Sequence, residues 1–487
     1  MSLLNNFFGV IFLFYLLISP SYAQNKKSVI TQKYEAKQLK EDAEILKNIT
    51  IAMHPAIGIY QSKNYYNNLF DDFISNLKDS LTEKEFRIKL KLLMGNLYCG
   101  HTEVINSKKY YREISKNKLN FSSFIFLPIQ NKLFVIGNLN KKQDTNSVKK
   151  GTEVIRINGI GVDSIIKYSK RFISSDGYNQ TSKNHFIQLS FNNFLVGLFG
   201  RPDTFNFDYL DESKIKNIRY CAFKANSLPP LPLQKKDDSL FTKFKRAQIK
   251  YRFLDLQNKT MLLKIAAFSP FQSAKAYRKI FKKLQKYETE NLIIDLRNNG
   301  GGSIENAYRL LSYLIDTSKK QTMRTSIKNY PYKKYTRGNV LFKITRFVFG
   351  IMGKKEILYE SDNYIFTINP RKKNHFNKKI LVLINGGSFS ASILVAAYLK
   401  DNNRAEFIGE ETGGAIEGCN AGVMPYYKLP NTNVRIRMPA FRVINDVYPK
   451  ITAHGLLPKY KTEYSLNDYL QQNDVDLIKA KEILKLN

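Results

Sequence analysis

One segment constrains the fold more than any other: Lys379-Ile380-Leu381-Val382-Leu383-Ile384-Asn385-Gly386-Gly387-Ser388-Phe389-Ser390-Ala391-Ser392, followed by the apolar run Ile393 to Leu399. The pattern predicts a buried strand, a tight glycine turn and a helix that opens on a serine. At such a corner a side chain stands free of the helix, while the first amides point outward and carry the positive end of the helix dipole. Acyl transfer needs that arrangement, a hydroxyl nucleophile beside backbone donors aimed at a developing negative charge. Ser388 or Ser390 would equally well cap a helix, so the rest of the chain has to decide between chemistry and capping.

The second half of the chain alternates strand and helix. Met261 to Ile265 reads as a strand, and Tyr277, Ile280, Phe281 and Leu284 share one face of a helix. The strand Asn291 to Leu296 opens into Arg297-Asn298-Asn299-Gly300-Gly301-Gly302-Ser303, with the next helix starting near Ile304. This βαβ order predicts an α/β layer whose active face lies beyond the strand ends. The triple glycine lacks the lysine and hydroxyl residue of a phosphate-binding P-loop. Its other use is to bring backbone amides close to a carbonyl oxygen, an approach that a side chain would block.

Upstream, Tyr34 to Tyr98 reads as helical with a break near Ser62-Lys63-Asn64, and Thr82 is placed to cap a helix whose first turn carries Glu83 and Glu85. That helix ends at Cys99-Gly100-His101-Thr102-Glu103. Residues from Phe121 to about Phe223 carry strand-like runs, and Gly151 to Val162 fits a strand, an Asn-Gly turn and a following helix. Pro229, Pro230 and Pro232 with Lys235-Lys236-Asp237-Asp238 mark a linker. The expected division is a signal peptide over 1–23, a helical N-terminal domain over 24–115, a β-rich region over 116–225, a linker over 226–248 and an α/β core over 249–487. The run Leu341 to Met352 is too short and too charged to span a bilayer and reads as a buried or flap-like helix.

Composition excludes several classes. The apolar run Phe7 to Ile18 closed by Ser21-Tyr22-Ala23 reads as a secretory signal, which places the mature protein outside the cytoplasm, in the periplasm or beyond it. With three cysteines (Cys99, Cys221, Cys419) the chain is no disulfide scaffold, and its five histidines form no pair at ligand spacing, so no metal and no cofactor is expected. The net charge of +36 is spread in short runs without a nucleic-acid motif. It reads as a solvated surface attracted to anionic lipid or cell-envelope polymer rather than as a nucleic-acid interface.

Taken together, Asp295 to Gly302, Asn385 to Ser392, Ile408-Gly409-Glu410-Glu411-Thr412-Gly413-Gly414, the upstream Gly100-His101-Thr102 and the closing Gly455-Leu456-Leu457-Pro458 resemble the tail-specific or C-terminal-processing serine peptidases. The resemblance implies a crotonase-like (ClpP-like) α/β core with an N-terminal helical domain and a degenerate PDZ-like segment at Gly151 to Val162. It implies protein or peptide substrates, with Ser390 as nucleophile and an oxyanion hole from the Ala391 amide and a glycine amide of the loop, Gly301 or Gly302. In the serine/lysine branch a lysine follows the Gly-Glu-x-Thr segment, where this chain has Ala415. The likeness is therefore to the tricorn-core branch, whose base is a histidine, and His101 fits that place. Thr102, Glu410 and Glu411 are the candidates to orient it. The pattern's usual acids are missing, with Cys99 before Gly100, Lys459 after Pro458, and Thr452 where a glutamate stands in the tricorn-like pattern. An exported serine endopeptidase and an inactive family member that binds peptides or apolar ligands are the two readings.

Overall fold

The computed structural model describes residues 28–139, 148–228, 239–257, 259–326, 334–337, 344, 354–358 and 361–486. The signal segment 1–23, the proline cluster of the linker and the run 341–352 apart from Ile344 lie outside the described residues.

The centre is a seven-stranded sheet in the order Thr242–Phe244, Ile249–Phe253, Thr260–Ile265, Asn291–Asp295, Lys379–Ile384, Glu406–Gly409, Tyr460–Lys461. From Thr260–Ile265 onward every neighbouring pair is parallel. The register aligns Leu263, Ile294 and Val382 across three strands, and Leu262, Ile293 and Leu381 beside them. Because side chains alternate along a strand, these two rows face opposite sides. The first row packs under the helices Ser273–Lys286, Ile304–Ser312 and Ala391–Asp401, and the second under the C-terminal helix Val475–Ile483. Burial on both faces explains why the strand sequences are continuously apolar rather than alternating.

Two smaller sheets bring distant segments to the strand ends. An antiparallel sheet ordered Lys354–Leu358, Ser361–Ile368, Lys319–Ser326, Phe441–Asn445, Gly418–Ala421 carries Cys419. A second, ordered Thr336–Arg337, Tyr426–Lys428, Arg435–Arg437, Glu103–Ile105, ties the N-terminal helices to the C-terminal half through the pairs Arg435 with Ile105 and Arg437 with Glu103. The helices Ala36–Met53, Lys63–Ser75 and Glu83–Gly95 share one apolar cluster with Tyr427, Leu429, Val434, Ile436 and Met438. The expected Thr82 cap is present, accepting from the Glu85 amide while Glu85 reaches back, and at the expected break Ser62 caps the second helix.

The region 116–225 holds a six-stranded antiparallel sheet but also two helices, Val162–Lys170 and Thr181–Phe199. The second of these, absent from the sequence reading, is kinked at Ser190 and has its apolar residues spread around it, so no clean helical stripe announces it. It packs along the sheet's edge strand Phe124–Ile129, where Asn192 Nδ2 donates to the Phe124 carbonyl at 2.7 Å and Pro128 offers no N–H. The linker assignment also shifts, because Thr242–Phe244 pairs with Ile249–Phe253 and already belongs to the central sheet. Among the described residues no helix is long and apolar enough to cross a membrane.

Candidate active site

The serine corner is built by hydrogen bonds that leave one hydroxyl over. Ser388 Oγ donates to the Leu296 carbonyl at 2.8 Å and Ser392 Oγ to the Asn299 carbonyl at 2.8 Å, and both side chains are buried. Asn385 and Asn298 bond each other side chain to side chain at 2.9 Å, and the Phe389 amide donates to the Asn299 carbonyl at 3.0 Å. These contacts lock the serine turn to the glycine loop. Ser390, between the two structural serines, makes no capping hydrogen bond and sits at φ 57°, ψ −119°, a region that side chains other than glycine's enter only under strain. The competition between capping and chemistry is thereby divided among three serines.

Gly301 lies against this corner. Its φ is +101°, and a Cβ there would stand 2.7 Å from Ser390 Cβ and 2.9 Å from the Ala391 nitrogen. The Gly301 N–H is donated to Asn299 Oδ1 at 2.9 Å, so its contribution to the site is space rather than a free donor. Ala391 is the first residue of its helix, whose amide has no acceptor within the helix. Gly301→Ala is expected to slow reaction of Ser390 with an acylating probe by about a hundredfold, because the corner must shift. The fold would lose only about 1–3 kcal/mol, which single-turnover labelling alongside a thermal melt will separate.

His101 arrives on the loop between the helix Glu83–Gly95 and the strand Glu103–Ile105, so pairing of that strand with Arg435–Arg437 fixes it to the core. Its ring stacks on Phe389 with centroids 4.7 Å apart, and its Nδ1 is buried without a hydrogen-bond partner. Burial, aided by the Arg437 cation, lowers its pKa to about 4, which keeps the imidazole neutral at physiological pH. Beside it stands Asp176, wholly buried. Its Oδ1 accepts the Gly100 amide at 2.7 Å, while Oδ2 has no partner. Burial pushes the Asp176 carboxyl up to about 7. The third member is Cys419, whose thiol burial also pushes up, with a hydrogen bond from the Ser390 side chain acting the other way. One ring nitrogen of His101, one carboxylate oxygen of Asp176 and Cys419 Sγ all lie within 4.8 Å of one another.

Asp176 is held by its neighbours. The Gly177 amide donates to the Tyr98 carbonyl at 3.1 Å and the Tyr178 amide to the Ala453 carbonyl at 2.8 Å. Gly177 has φ +57°, and a Cβ on it would lie 2.2 Å from the Ala453 carbonyl oxygen. Only glycine fits there.

The candidates to orient His101 are placed elsewhere. Thr102 turns away and pairs with His54 Nε2 at 2.7 Å. Glu411 clamps the loops, accepting from Asn179 Nδ2 at 3.0 Å, Thr181 Oγ1 at 3.1 Å and the Gly455 amide at 2.7 Å, with His454 Nδ1 at 3.5 Å. Glu410 takes a backbone hydrogen bond from Gly386 and faces Asp476. Thr452 donates to Glu417 Oε2 at 3.1 Å, and Lys459 pairs with Glu406. Glu417, a buried acid near Asp176, already accepts from Tyr60 at 2.8 Å, from Thr452 and from the Ala453 amide at 3.2 Å. Asp176 and Cys419 were missed because neither belongs to a recognisable local pattern: Asp176 precedes a glycine as many turn residues do. A groove of about 2060 Å³ passes Asn298 and Asn385, beside the serine corner, and its lining mixes bases, among them Lys243, Lys245, Arg246 and Lys250, with acids, among them Glu410, Glu411, Glu463 and Asp474. Ser390 itself is not in that lining.

Residues 259–462 match the family profile of Peptidase family S41. The chain is 26% identical over 207 residues to a probable CtpA-like serine protease of Staphylococcus aureus strain N315, covering 42% of this chain and 34% of that protein. It is 27% identical over 218 residues to the carboxy-terminal processing protease CtpA of Bacillus subtilis strain 168, covering 45% of this chain and 38% of that one. The matches thus span little more than a third of those relatives. In fold, the chain resembles mature CPAF, solved in complex with lactacystin, with a TM-score of 0.64 at 14% identity over 92% of this chain and 98% of that one. Over residues 259–462 the chain is therefore similar to peptidase family S41, and the relatives it matches there are serine and carboxy-terminal processing proteases.

Proposed function

We propose that the protein is an exported serine endopeptidase in which Ser390 is the nucleophile, His101 the general base and Asp176 the acid that orients the imidazole. One observation carries this reading. The hydroxyl left out of the corner's hydrogen bonding stands at a strained turn beside a buried neutral imidazole and a buried carboxyl, each with an atom lacking a partner. In the reaction Ser390 Oγ attacks the peptide carbonyl as His101 takes its proton. The Ala391 amide, joined by that of Gly302, holds the oxyanion, and His101 returns the proton to the leaving amine. Ionised Asp176 would stabilise the imidazolium formed midway. Support for Gly302 over Gly301 as the second donor comes from the occupied Gly301 amide.

The parallel strand order and the glycine loop beside the serine turn support a crotonase-like core, and the strand, Asn-Gly turn and helix at 153–170 support a PDZ-like segment. Strand addition of substrate on Phe124–Ile129 is disfavoured by the helix packed there. The basic cluster Lys243, Lys245, Arg246 and Lys250 in the groove's mixed lining instead favours peptides with acidic segments, which cleavage sites mapped in unfolded protein would reveal as acidic enrichment; a random distribution would refute it. Export rests on the apolar N-terminal segment, and electrostatic association with an anionic envelope on the net charge of +36; fractionation of the producing cell tests both.

A second reading, a peptide binder without turnover, is favoured by one feature: the Ser390 side chain is bonded to Cys419, and His101 Nδ1 has no bond. A fluorophosphonate probe decides. Modification mapped to Ser390, lost in Ser390→Ala and His101→Ala, is the expected result. A folded protein that binds peptide but stays unlabelled would establish the binder.

A further inference from the structure

Peptide hydrolysis as described leaves one member of the buried cluster without a task, the Cys419 thiol. It enters from the strand Gly418–Ala421, whereas His101 comes from the N-terminal half and Asp176 from the loop before Thr181–Phe199. A nitrogen, an oxygen and a sulfur donor from three segments stand within 4.8 Å of one another, all on buried residues. We propose that His101, Asp176 and Cys419 form a Zn²⁺ site whose occupation switches the peptidase off. The switch rests on the proposed peptidase activity; the metal site does not.

Three lines of chemistry support it. Imidazole, carboxylate and thiolate are the donors that Zn²⁺ prefers, and three protein ligands with an open fourth position are a common arrangement. Donors around a tetrahedral zinc ion stand about 3.5 Å apart, so closure needs movements of about 1 Å. These are open to a ring held by stacking on Phe389 and to a carboxylate oxygen that has no partner. The Asp176 carboxylate is already oriented through Oδ1 by the Gly100 amide, the kind of outer hydrogen bond that steers metal ligands.

The charges also balance. Binding of Zn²⁺ expels to solvent the Cys419 proton and any proton still on Asp176, and the ion with one thiolate, one carboxylate and a neutral imidazole has no net charge, which suits a buried site. With its nitrogen lone pair on the metal, His101 has none for the Ser390 proton, and acylation stops.

The test uses the full chain with Ser390→Ala, in which binding is independent of catalysis. Titration with Zn²⁺ against a chromophoric chelator is expected to show one ion per chain and proton release, with affinity reduced more than about a hundredfold by Cys419→Ala or His101→Ala. Co²⁺ in place of Zn²⁺ should give a thiolate-to-metal charge-transfer band in the Ser390→Ala protein, a signature that needs no ligand variant to fold. In the unsubstituted protein, Zn²⁺ should abolish peptide hydrolysis and a chelator restore it. A cobalt complex without the thiolate band, or zinc binding unchanged in Cys419→Ala, would overturn the site. Stimulation of hydrolysis by zinc would overturn the switch. A thiolate-bound metal in a chain that hydrolyses nothing even when metal-free would overturn the peptidase reading and leave the site standing.

Discussion

Asp176→Asn is expected to lower peptide turnover by about a thousandfold and at the same time to stabilise the protein at alkaline pH. The two effects share one cause. Asp176 is wholly buried and its carboxyl is pushed up to about 7 from an ordinary value of 3.8. The folded chain therefore retains a proton that the unfolded chain releases between pH about 4 and about 7, and folding stability falls as pH rises through that window. Above it the ionised group lowers stability by on the order of 4 kcal/mol. Asparagine keeps an oxygen for the Gly100 amide but never ionises. The variant should match the parent near pH 4 and melt higher at pH 8, while its loss of turnover is greatest where the parent's carboxylate is charged. Thermal melts and peptide hydrolysis across pH 4 to 8 read both quantities. A turnover unchanged at pH 8, with the stability gap present, would remove Asp176 from the mechanism and leave it a buried structural acid.

Arg297→Met is expected to destabilise the protein by about 3–5 kcal/mol and to release its C-terminal segment. Arg297 is buried, its side chain 4% exposed, and holds three acids at once. Its Nε and Nη2 donate to the two Asp295 oxygens at 3.0 Å each, Nη1 reaches Asp474 at 2.6 Å and Asp476 at 2.7 Å, and Tyr464 joins at 3.2 Å. Burial alone would raise the Asp295 carboxyl, yet Arg297 and Lys264 hold it well below the usual range. That contribution is present above pH 3.8 and lost as pH falls through the lowered value. Without the cation, Asp476 is left buried without a counter-charge and Asp295 keeps only Lys264, so the variant should be most impaired at neutral pH and less so near pH 4. Because Arg297 adjoins the glycine loop, labelling of Ser390 should weaken as well. Urea unfolding and limited proteolysis between residues 462 and 486 provide the measurement. Lysine at 297 should rescue little, since it lacks the planar fork that serves Asp295 and Asp474 together.

The parts of the site written in contiguous residues were legible beforehand. A continuous apolar strand, a glycine turn and a serine before an apolar helix encode their geometry locally, and so do the triple glycine after Asp295 and the Thr82 cap. The choice of Ser390 over Ser388 was less so. It depends on Ser388 and Ser392 bonding to Leu296 and Asn299, about ninety residues away in the chain.

The surroundings of His101 are hidden from the sequence for the same reason. Thr102, Glu410 and Glu411 lie near the motifs in sequence, yet packing turns them to His54, Gly386 and the Asn179–Gly455 loops. Histidine spacing likewise gave no hint of a metal, since spacing registers ligands on one element, whereas His101, Asp176 and Cys419 come from three.

The sequence by itself determined the strands, the serine corner and the βαβ order, because backbone sterics and hydrophobic periodicity act over a few residues. Which polar groups were consumed by the scaffold, and which remained unpartnered in the cleft, was decided only when the sheets closed. Burial and hydrogen-bond satisfaction are properties of the folded surroundings, and no single segment carries them.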